Sequence, residues 1–247
     1  MKLCNTKLSK RESDGMPFRR WMKKALQGDA EVLANGVREL TWYSILRLLI
    51  VIVIGSALYG ATVGMWRSPL QGVYSAIKIP LLLLLTCAGN GLLNALFASV
   101  LGANLTFRQT LAAIGISFSI AAVILASLSP LSLFLMLNVP PIADGNAVVS
   151  HSVVLLFHVG VIAFAGILAN VRLQVLLQQF CPDRRTGLRV LLAWLAGNLL
   201  LGSQLAWVLR PFIGSPRLRV EFLRPDAFHG SFFEEIFKAL MHVFHQH

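Results

Sequence analysis

The stretch that decides the fold is TWYSILRLLIVIVIGSALYGATVGMW, residues 41–66. Arg47 is its one charged side chain, and the rest is dominated by aliphatic and small residues. A helix needs about 20 predominantly apolar residues to cross the hydrocarbon core of a bilayer. The stretch therefore predicts a transmembrane helix.

Four more apolar stretches follow, and turn residues such as Arg67-Ser68-Pro69 and Asp144-Gly145-Asn146 separate them. The chain of 247 residues is 56% hydrophobic and only 13% charged, with a mean hydropathy of +0.69. A soluble domain carries about 25% charged residues, so this chain lacks the polar surface of a soluble fold. We expect an all-α, polytopic transmembrane helical bundle of about five spans, with amphipathic interfacial helices at both ends. The spans are predicted at 41–66, 74–101, 109–137, 148–170 and 188–209.

Residues 1–40 form a basic tail in which a helical pattern begins at Pro17. Its apolar residues recur at spacings of three and four, and its cations lie on the other faces. This pattern is typical of a helix that lies on an anionic membrane surface. The alternative is a solvated helix that packs on another part of the protein. The apolar set is Phe18, Trp21, Met22, Ala25 and Leu26, and the lipid-facing cations are Arg19, Arg20, Lys23 and Lys24.

Residues 210–247 form a C-terminal tail that should end in a second amphipathic helix. Ser231 and Glu234 have the spacing of a capping box. The apolar stripe that follows consists of Phe233, Ile236, Phe237, Leu240 and Phe244. We expect this helix to lie along the membrane surface or to cover a neighbouring subunit.

The distribution of Lys and Arg predicts the orientation. If the N-terminus is inside, the inside segments hold fourteen cations, while the two outside loops hold only Arg67. Because cytoplasmic loops are enriched in Lys and Arg, we expect the N-terminus and the 171–187 loop in the cytoplasm, in a bacterial inner membrane. The tail from Arg210 carries five more cations, so either it is a basic external tail or one span is miscounted.

Small residues spaced by four predict close helix packing. In lipid, helices gain most from close backbone approach, which small residues allow. The first span offers the clearest case, and the second and fifth spans offer shorter ones. Whether the partner helix belongs to the same chain or to another copy is left open. The predicted packing residues are Ser56, Gly60, Gly64, Gly91, Ala95 and Gly197.

Polar residues within spans are the usual pointers to function in a membrane protein. Arg47 and Lys78 can extend to opposite interfaces, or can point inward and attract anions. Asn90 and Asn94 are one turn apart and so share a face, where they bond to other helices or line a polar path. His151 and His158 share a face two turns apart and are better explained as structural than as metal or haem ligands. The full set is Arg47, Lys78, Asn90, Asn94, His151, His158, Asn198 and Gln204.

Several classes of function lack their motifs. The sequence contains no phosphate-binding Gly-rich loop, no HExxH, no GxSxG and no acidic residue within a span. We therefore expect no enzyme and no cofactor. The net charge of +11 lies beside apolar blocks without interleaved aromatic residues. It predicts contact with anionic lipid headgroups rather than with nucleic acid.

Three segments carry a resemblance to a known family. They are Tyr74-Ser75-Ala76-Ile77-Lys78-Ile79-Pro80, Leu105-Thr106-Phe107-Arg108-Gln109, and Trp207-Val208-Leu209-Arg210-Pro211-Phe212-Ile213-Gly214-Ser215-Pro216. With the five-span layout, they resemble the YIP family of Ypt/Rab-interacting membrane proteins and its bacterial relatives. The resemblance implies a scaffolding or membrane-organising role.

Two functional hypotheses follow from these patterns. The leading one is a non-enzymatic membrane protein that assembles, either with itself or as a subunit of a larger membrane complex. The alternative is a channel or transporter whose path is lined by Asn90, Asn94 and the two cations. A membrane-embedded enzyme comes third.

Overall fold

The computed structural model describes residues 16–140, 147–214 and 219–234, with the backbone alone for 147–149. Within these ranges the chain forms helices and no strand, which confirms the all-α prediction. Five of the helices are long and apolar enough to cross a membrane, so the chain is a multi-pass membrane protein. The helices are α1 (Phe18–Gln27), α2 (Ala30–Arg38), α3 (Trp42–Met65), α4 (Pro69–Val100), α5 (Phe107–Asn138), α6 (Ala147–Leu177) and α7 (Arg184–Val208).

Side-chain caps begin most of the long helices. Thr41, Ser68 and Asp183 each accept a hydrogen bond from a backbone N–H in the first turn of α3, α4 and α7. Thr106 forms a full capping box with Gln109 at the start of α5. The cap at Ser68, followed by a proline at the first helical position, explains why α4 begins five residues before the predicted span.

The α6 helix also exceeds its predicted span, because it continues to Leu177 rather than ending at 170. Its extra turns are not lipid-facing, since Leu173, Leu176 and Leu177 are buried in a core at this end of the molecule. Packing against protein therefore extends the helix beyond the length that the membrane requires.

The five long helices form a bundle with two distinct ends. The α3 helix packs mainly on α4 and α5, α7 packs on α4, and α6 packs on α5. The N-terminal end holds α1, α2 and the connections 101–106 and 178–183. The C-terminal end holds the 66–68 connection, Pro140 and the segment 209–214. Hydrogen bonds of 2.8 Å from Arg172 to the Leu26 carbonyl and of 3.2 Å from the Trp66 indole to the Pro140 carbonyl tie each end together.

The predicted amphipathic helix at the N-terminus is present as α1. Its apolar face packs on the protein, because Met22 and Ala25 are buried and Trp21 lies against the core that includes α2 and α5. This matches the alternative interpretation of that face. Its cations Arg19, Arg20 and Lys23 stay exposed, whereas Lys24 pairs with Asp29 at 3.8 Å.

Glycines bring α3 and α4 into backbone contact. A Cβ atom added at Gly60 would lie 2.5 Å from the carbonyl oxygen of Ser75, and one at Gly64 would overlap the backbone of Gln71. The partner of this predicted packing face therefore lies within the chain. Ser56 is buried on the same helix and donates to the Ile52 carbonyl at 2.5 Å.

The other predicted packing residues lie at two further contacts. Gly91 is buried and faces the Leu111 side chain of α5. Gly197 on α7 lies against the side chains of Asn90 and Asn94, where an added Cβ atom would be 3.4 and 3.6 Å from their oxygens. Ala95 is half-buried. Gly91 and Gly197 each mark a place where α4 meets a neighbouring helix.

The predicted helix in the C-terminal tail is described only at its start. The Glu234 N–H donates to the Ser231 hydroxyl at 3.1 Å, as the first half of a capping box requires. The rest of the predicted stripe, from Ile236 onward, lies outside the described residues.

Candidate functional site

Lys78 is the centre of the most developed polar cluster in the described part of the bundle. Its side chain is fully buried, with 0% exposure, near the C-terminal end of the molecule. The ammonium donates to the Pro211 carbonyl at 2.8 Å. It also lies 5.0 Å from the Phe222 ring centroid and 5.9 Å from that of Phe212. The carbonyl dipole and the negative faces of two rings stabilise the cation without a carboxylate.

Two neutral side chains on the same face of α4 continue this cluster. The Gln71 amide donates to the carbonyls of Pro211 and Phe212 at 3.0 and 2.9 Å. The Ser75 hydroxyl donates to the Phe212 carbonyl. Gln71, Ser75 and Lys78 are spaced by four and three residues, which places them one above another on a helix. Together they hold the segment 211–212, which we call the C-terminal strap.

This arrangement bears on the two predictions for Lys78. The side chain is buried, and it extends to the Pro211 carbonyl, which lies just beyond the end of α7 at Val208. It does point inward, but its contacts are a carbonyl and two aromatic rings rather than an open vestibule. Lys78 therefore serves as a tether between α4 and the strap.

Arg47 lies at the opposite end and in a different environment. It is exposed, and its guanidinium is 5.9 Å from the centroid of the Phe18 ring of α1. Gly60 of α3 faces Ser75 of α4, so Lys78 lies near the level of residue 57 on α3. Ten residues of helix separate that level from Arg47, or about 15 Å along the axis. The two cations therefore belong to separate sites.

Asn90 and Asn94 meet α7 near the N-terminal half of the bundle. The Asn90 amide donates to the Asn198 side chain at 2.8 Å, and the Trp194 indole donates to the Asn94 backbone carbonyl at 2.7 Å. Both asparagines are fully buried. Within the described ranges, the Asn90 side-chain oxygen and both polar atoms of the Asn94 amide have no hydrogen-bond partner. The cluster thus joins α4 to α7 through a hydrogen bond between side chains. It also contains buried polar atoms that have no hydrogen-bond partner in the described ranges.

The two histidines both face α3. His158 is buried and its Nδ1 lies 2.7 Å from the Tyr59 hydroxyl. The His151 ring lies 5.9 Å from the Trp66 ring, centroid to centroid. Tyr59 and Trp66 are also seven residues apart, so the two pairs repeat along an antiparallel helix contact. These contacts agree with the structural role expected for the histidines.

The last predicted polar residue, Gln204, meets the start of the C-terminal helix. Its side-chain oxygen accepts a hydrogen bond from the Phe232 N–H at 3.2 Å. With the Lys78 cluster, this bond ties the tail to the bundle at a second point.

The potential metal ligands in the described part of the chain do not cluster, and its two cysteines are free thiols. Among the described residues, no group of three His, Cys, Asp or Glu side chains could hold a metal ion. Cys87 and Cys181 are free thiols. In the 178–183 connection, burial and the nearby Asp183 carboxylate raise the pKa of the Cys181 thiol. A raised pKa disfavours the thiolate form of Cys181.

Sequence reasoning missed Gln71, Ser75, Tyr59 and Trp194. The face formed by Gln71, Ser75 and Lys78 was detectable, because three polar residues at helical spacing within an apolar stretch predict one shared polar partner. The partner itself, a pair of backbone carbonyls in the strap, carries no signal in the side-chain sequence. Tyr59 and Trp194 resemble ordinary core aromatics until their partners are known.

Comparison of the chain with protein families, with curated proteins and with solved structures found no match. The resemblance to the YIP family stays a prediction.

Proposed function

We propose that this protein is a non-enzymatic integral membrane protein that acts by assembly, either with itself or as a subunit of a larger membrane complex. The observation that carries the proposal is the use of the intramembrane polar groups. Lys78, Ser75, Gln71 and His158 each form a hydrogen bond to another part of the chain. The Gln71 Oε1 and His158 Nε2 atoms have no hydrogen-bond partner among the described residues. The hydrogen bonds that do form join α4 to the strap and α6 to α3, as polar contacts between membrane helices do.

The outward face of α6 supports assembly over a purely internal role. Helices α3 and α5 bury half of their most apolar window inside the chain, whereas α4, α6 and α7 bury 28%, 22% and 17%. Gly160 on α6 is exposed, and a Cβ atom added there would meet no atom of the described residues within 4 Å. A glycine that faces outward gives no packing within the chain, but it allows a second helix to approach closely.

The decisive measurement is the mass of the purified particle in detergent, by size-exclusion chromatography with light scattering. Wild type should have the mass of more than one chain, or should retain other membrane subunits. Gly160→Leu should yield a smaller particle, because a leucine on this face forces a neighbouring helix outward. Ala88→Leu is the matched control, since Ala88 is also small and exposed but lies on α4.

The result distinguishes a homo-oligomer from a complex with other membrane subunits. A particle of identical chains that Gly160→Leu dissociates supports the homo-oligomer. Loss of other subunits supports the complex. A single-chain particle without partners, unchanged by Gly160→Leu, would contradict assembly through α6.

We further propose that the N-terminal end lies in the cytoplasm, because Lys and Arg are in excess there. A single cysteine in the 178–183 connection, in a variant without the other cysteines, should resist a membrane-impermeant maleimide applied from outside. Labelling of that position from outside would reverse the orientation.

A second candidate function is a channel or transporter, and the unpaired side-chain oxygen of Asn90 and the unpaired amide group of Asn94 favour it. Buried polar atoms without partners among the described residues are costly, so they point to water or a solute between α4 and α7. Flux through reconstituted protein that Asn94→Leu abolishes would support this function. Absence of flux would leave the cluster as a helix contact.

A further inference from the structure

A pocket lies at the N-terminal end between α1, α2 and the first turns of α3. Its volume is about 380 Å³. The pocket begins at the level of Trp42 and Tyr43, which are 71% and 73% exposed. Exposed Trp and Tyr at the start of a span are typical of the membrane–water interface. The pocket therefore lies where phospholipid headgroups meet acyl chains.

The lining of the pocket is amphipathic. Trp21 of α1, Leu48 of α3 and Ile116 of α5 contribute apolar walls. Asn35 and Ser44 contribute polar groups. A site with one polar part and one apolar part fits an amphiphile better than it fits a free ion or a sugar.

Two opposite charges line the same pocket, and the described part of the protein forms a salt bridge with neither. Arg47 and Glu39 both border it, and both are exposed. The salt bridges within the described ranges involve other residues, namely Lys24 with Asp29 and Arg210 with Asp226. Arg47 can therefore offer its guanidinium donors, and Glu39 its carboxylate, to a bound molecule.

A neighbouring depression shows a different charge pattern. Arg19, Lys23 and Arg172 line it together with apolar residues of α1, and no acidic residue of the described ranges borders it. Such a surface suits a headgroup of net negative charge. The pocket with both Arg47 and Glu39 suits a headgroup that carries both signs.

We propose that the pocket between α1, α2 and α3 binds one phospholipid with a zwitterionic, amine-bearing headgroup. The lipid phosphate meets the Arg47 guanidinium, which matches phosphate geometry through paired donors. The headgroup ammonium meets the Glu39 carboxylate. Arg47 lies about 9 Å along α3 from Thr41, so the phosphate is bound inside the pocket rather than at its opening. The acyl chains continue along the apolar wall. This site is independent of assembly through α6.

The test is native mass spectrometry of the full chain, released from detergent and titrated with defined lipids. Phosphatidylethanolamine should bind as a single molecule and more tightly than phosphatidylglycerol. Arg47→Gln should weaken binding of phosphatidylethanolamine about tenfold, the range of a lost charge-assisted hydrogen bond. Arg185→Gln is the matched control, since Arg185 is an exposed cation at the start of α7.

The Glu39→Gln variant distinguishes the headgroup from a general lipid contact. It removes the partner of the ammonium, so the preference for phosphatidylethanolamine over phosphatidylglycerol should disappear or reverse. Melting temperatures near that of wild type would show that both variants are folded. Binding of phosphatidylethanolamine that Arg47→Gln and Arg185→Gln weaken equally would overturn the site. A preference between the two lipids that Glu39→Gln leaves unchanged would overturn the assignment of the headgroup.

Discussion

Arg47 of α3 and Lys78 of α4, two cations within apolar helices, lie in opposite environments. Arg47 is exposed at the N-terminal end, beside an amphipathic helix and a pocket. Lys78 is fully buried at the C-terminal end, where the strap covers it. Both residues interrupt an apolar run in the sequence. The residues next to them do not indicate which of the two cations will be buried.

The difference shows that a cation within a span has two distinct uses. One is solvation at the interface by headgroups and water, which the length of an arginine side chain allows. The other is a fixed bond inside the protein, where carbonyls and rings replace water. At the C-terminal end Lys78 is held by internal bonds, while at the N-terminal end Arg47 remains exposed.

The largest effect should come from adding a methyl group where the backbones meet. Gly60→Ala places a Cβ 2.5 Å from the Ser75 carbonyl oxygen, next to the Lys78 cluster. We expect a loss of about 3 kcal/mol in the free energy of unfolding, at the upper end of overpacking effects. Thermal unfolding in detergent would measure it.

Gly115→Ala is the matched control in the N-terminal half. There the nearest atom to an added Cβ is a Leu48 methyl at 4.0 Å, so the variant should equal wild type or exceed it. Equal stability of the two alanine variants would contradict the close contact of α3 with α4.

The next largest effect should come from the cations themselves. Lys78→Met keeps a flexible apolar side chain but removes the bond to the Pro211 carbonyl and both ring contacts. We expect a loss of about 2 kcal/mol, as for a charge-assisted hydrogen bond. Arg47→Met should change unfolding little, because Arg47 is exposed.

Chemical denaturation of both variants would provide the comparison. If Lys78→Met were as stable as wild type, avoiding the cost of a buried ammonium would balance the lost bonds. In that case the strap would not depend on Lys78.

A smaller difference is expected between two glycines with left-handed backbones, one at each end. Gly214 has φ +86° and Gly102 has φ +82°. Alanine at either position should cost about 1 kcal/mol from the backbone alone. Gly214→Ala should cost more, because its Cβ would lie 2.9 Å from Arg67, whereas one at Gly102 would meet no described atom within 4 Å. Equal falls in melting temperature would show that the Arg67 side chain moves away from the new Cβ at position 214 without cost.

The smallest effect should be the loss of stability in acid from the Asp183 cap, at the N-terminal end of the molecule. Hydrogen bonds from the Thr186 backbone and side chain hold the pKa of Asp183 below its ordinary value of 3.8. A lowered pKa in the folded state means that the cap stabilises the protein above pH 3.8 and that this contribution is lost as the pH falls through the folded pKa.

Asp183→Asn keeps a capping side chain but does not titrate. The difference in melting temperature between wild type and this variant should therefore shrink below pH 3.8. A difference that stayed constant into strong acid would show that the Asp183 charge does not support the cap.

Much of the fold could be predicted because span length is a local property. A run such as 41–66 must be a helix in lipid, where each backbone polar group needs a partner within the segment. The same reasoning located the other four spans, and the errors at α4 and α6 lay at their ends. The candidate sites were predicted less well. His158 and Asn90 were named, but their partners Tyr59 and Asn198 could not be assigned to them.

The sequence by itself determined that this protein lies in a membrane, how many spans it has and which polar residues interrupt those spans. Only the tertiary structure decided which of those polar residues are buried by other parts of the chain. Lys78 meets a carbonyl that is 133 residues away in the chain. Every residue carries the same backbone carbonyl, so no pattern of side chains identifies the one that a folded bundle will place beside a buried lysine.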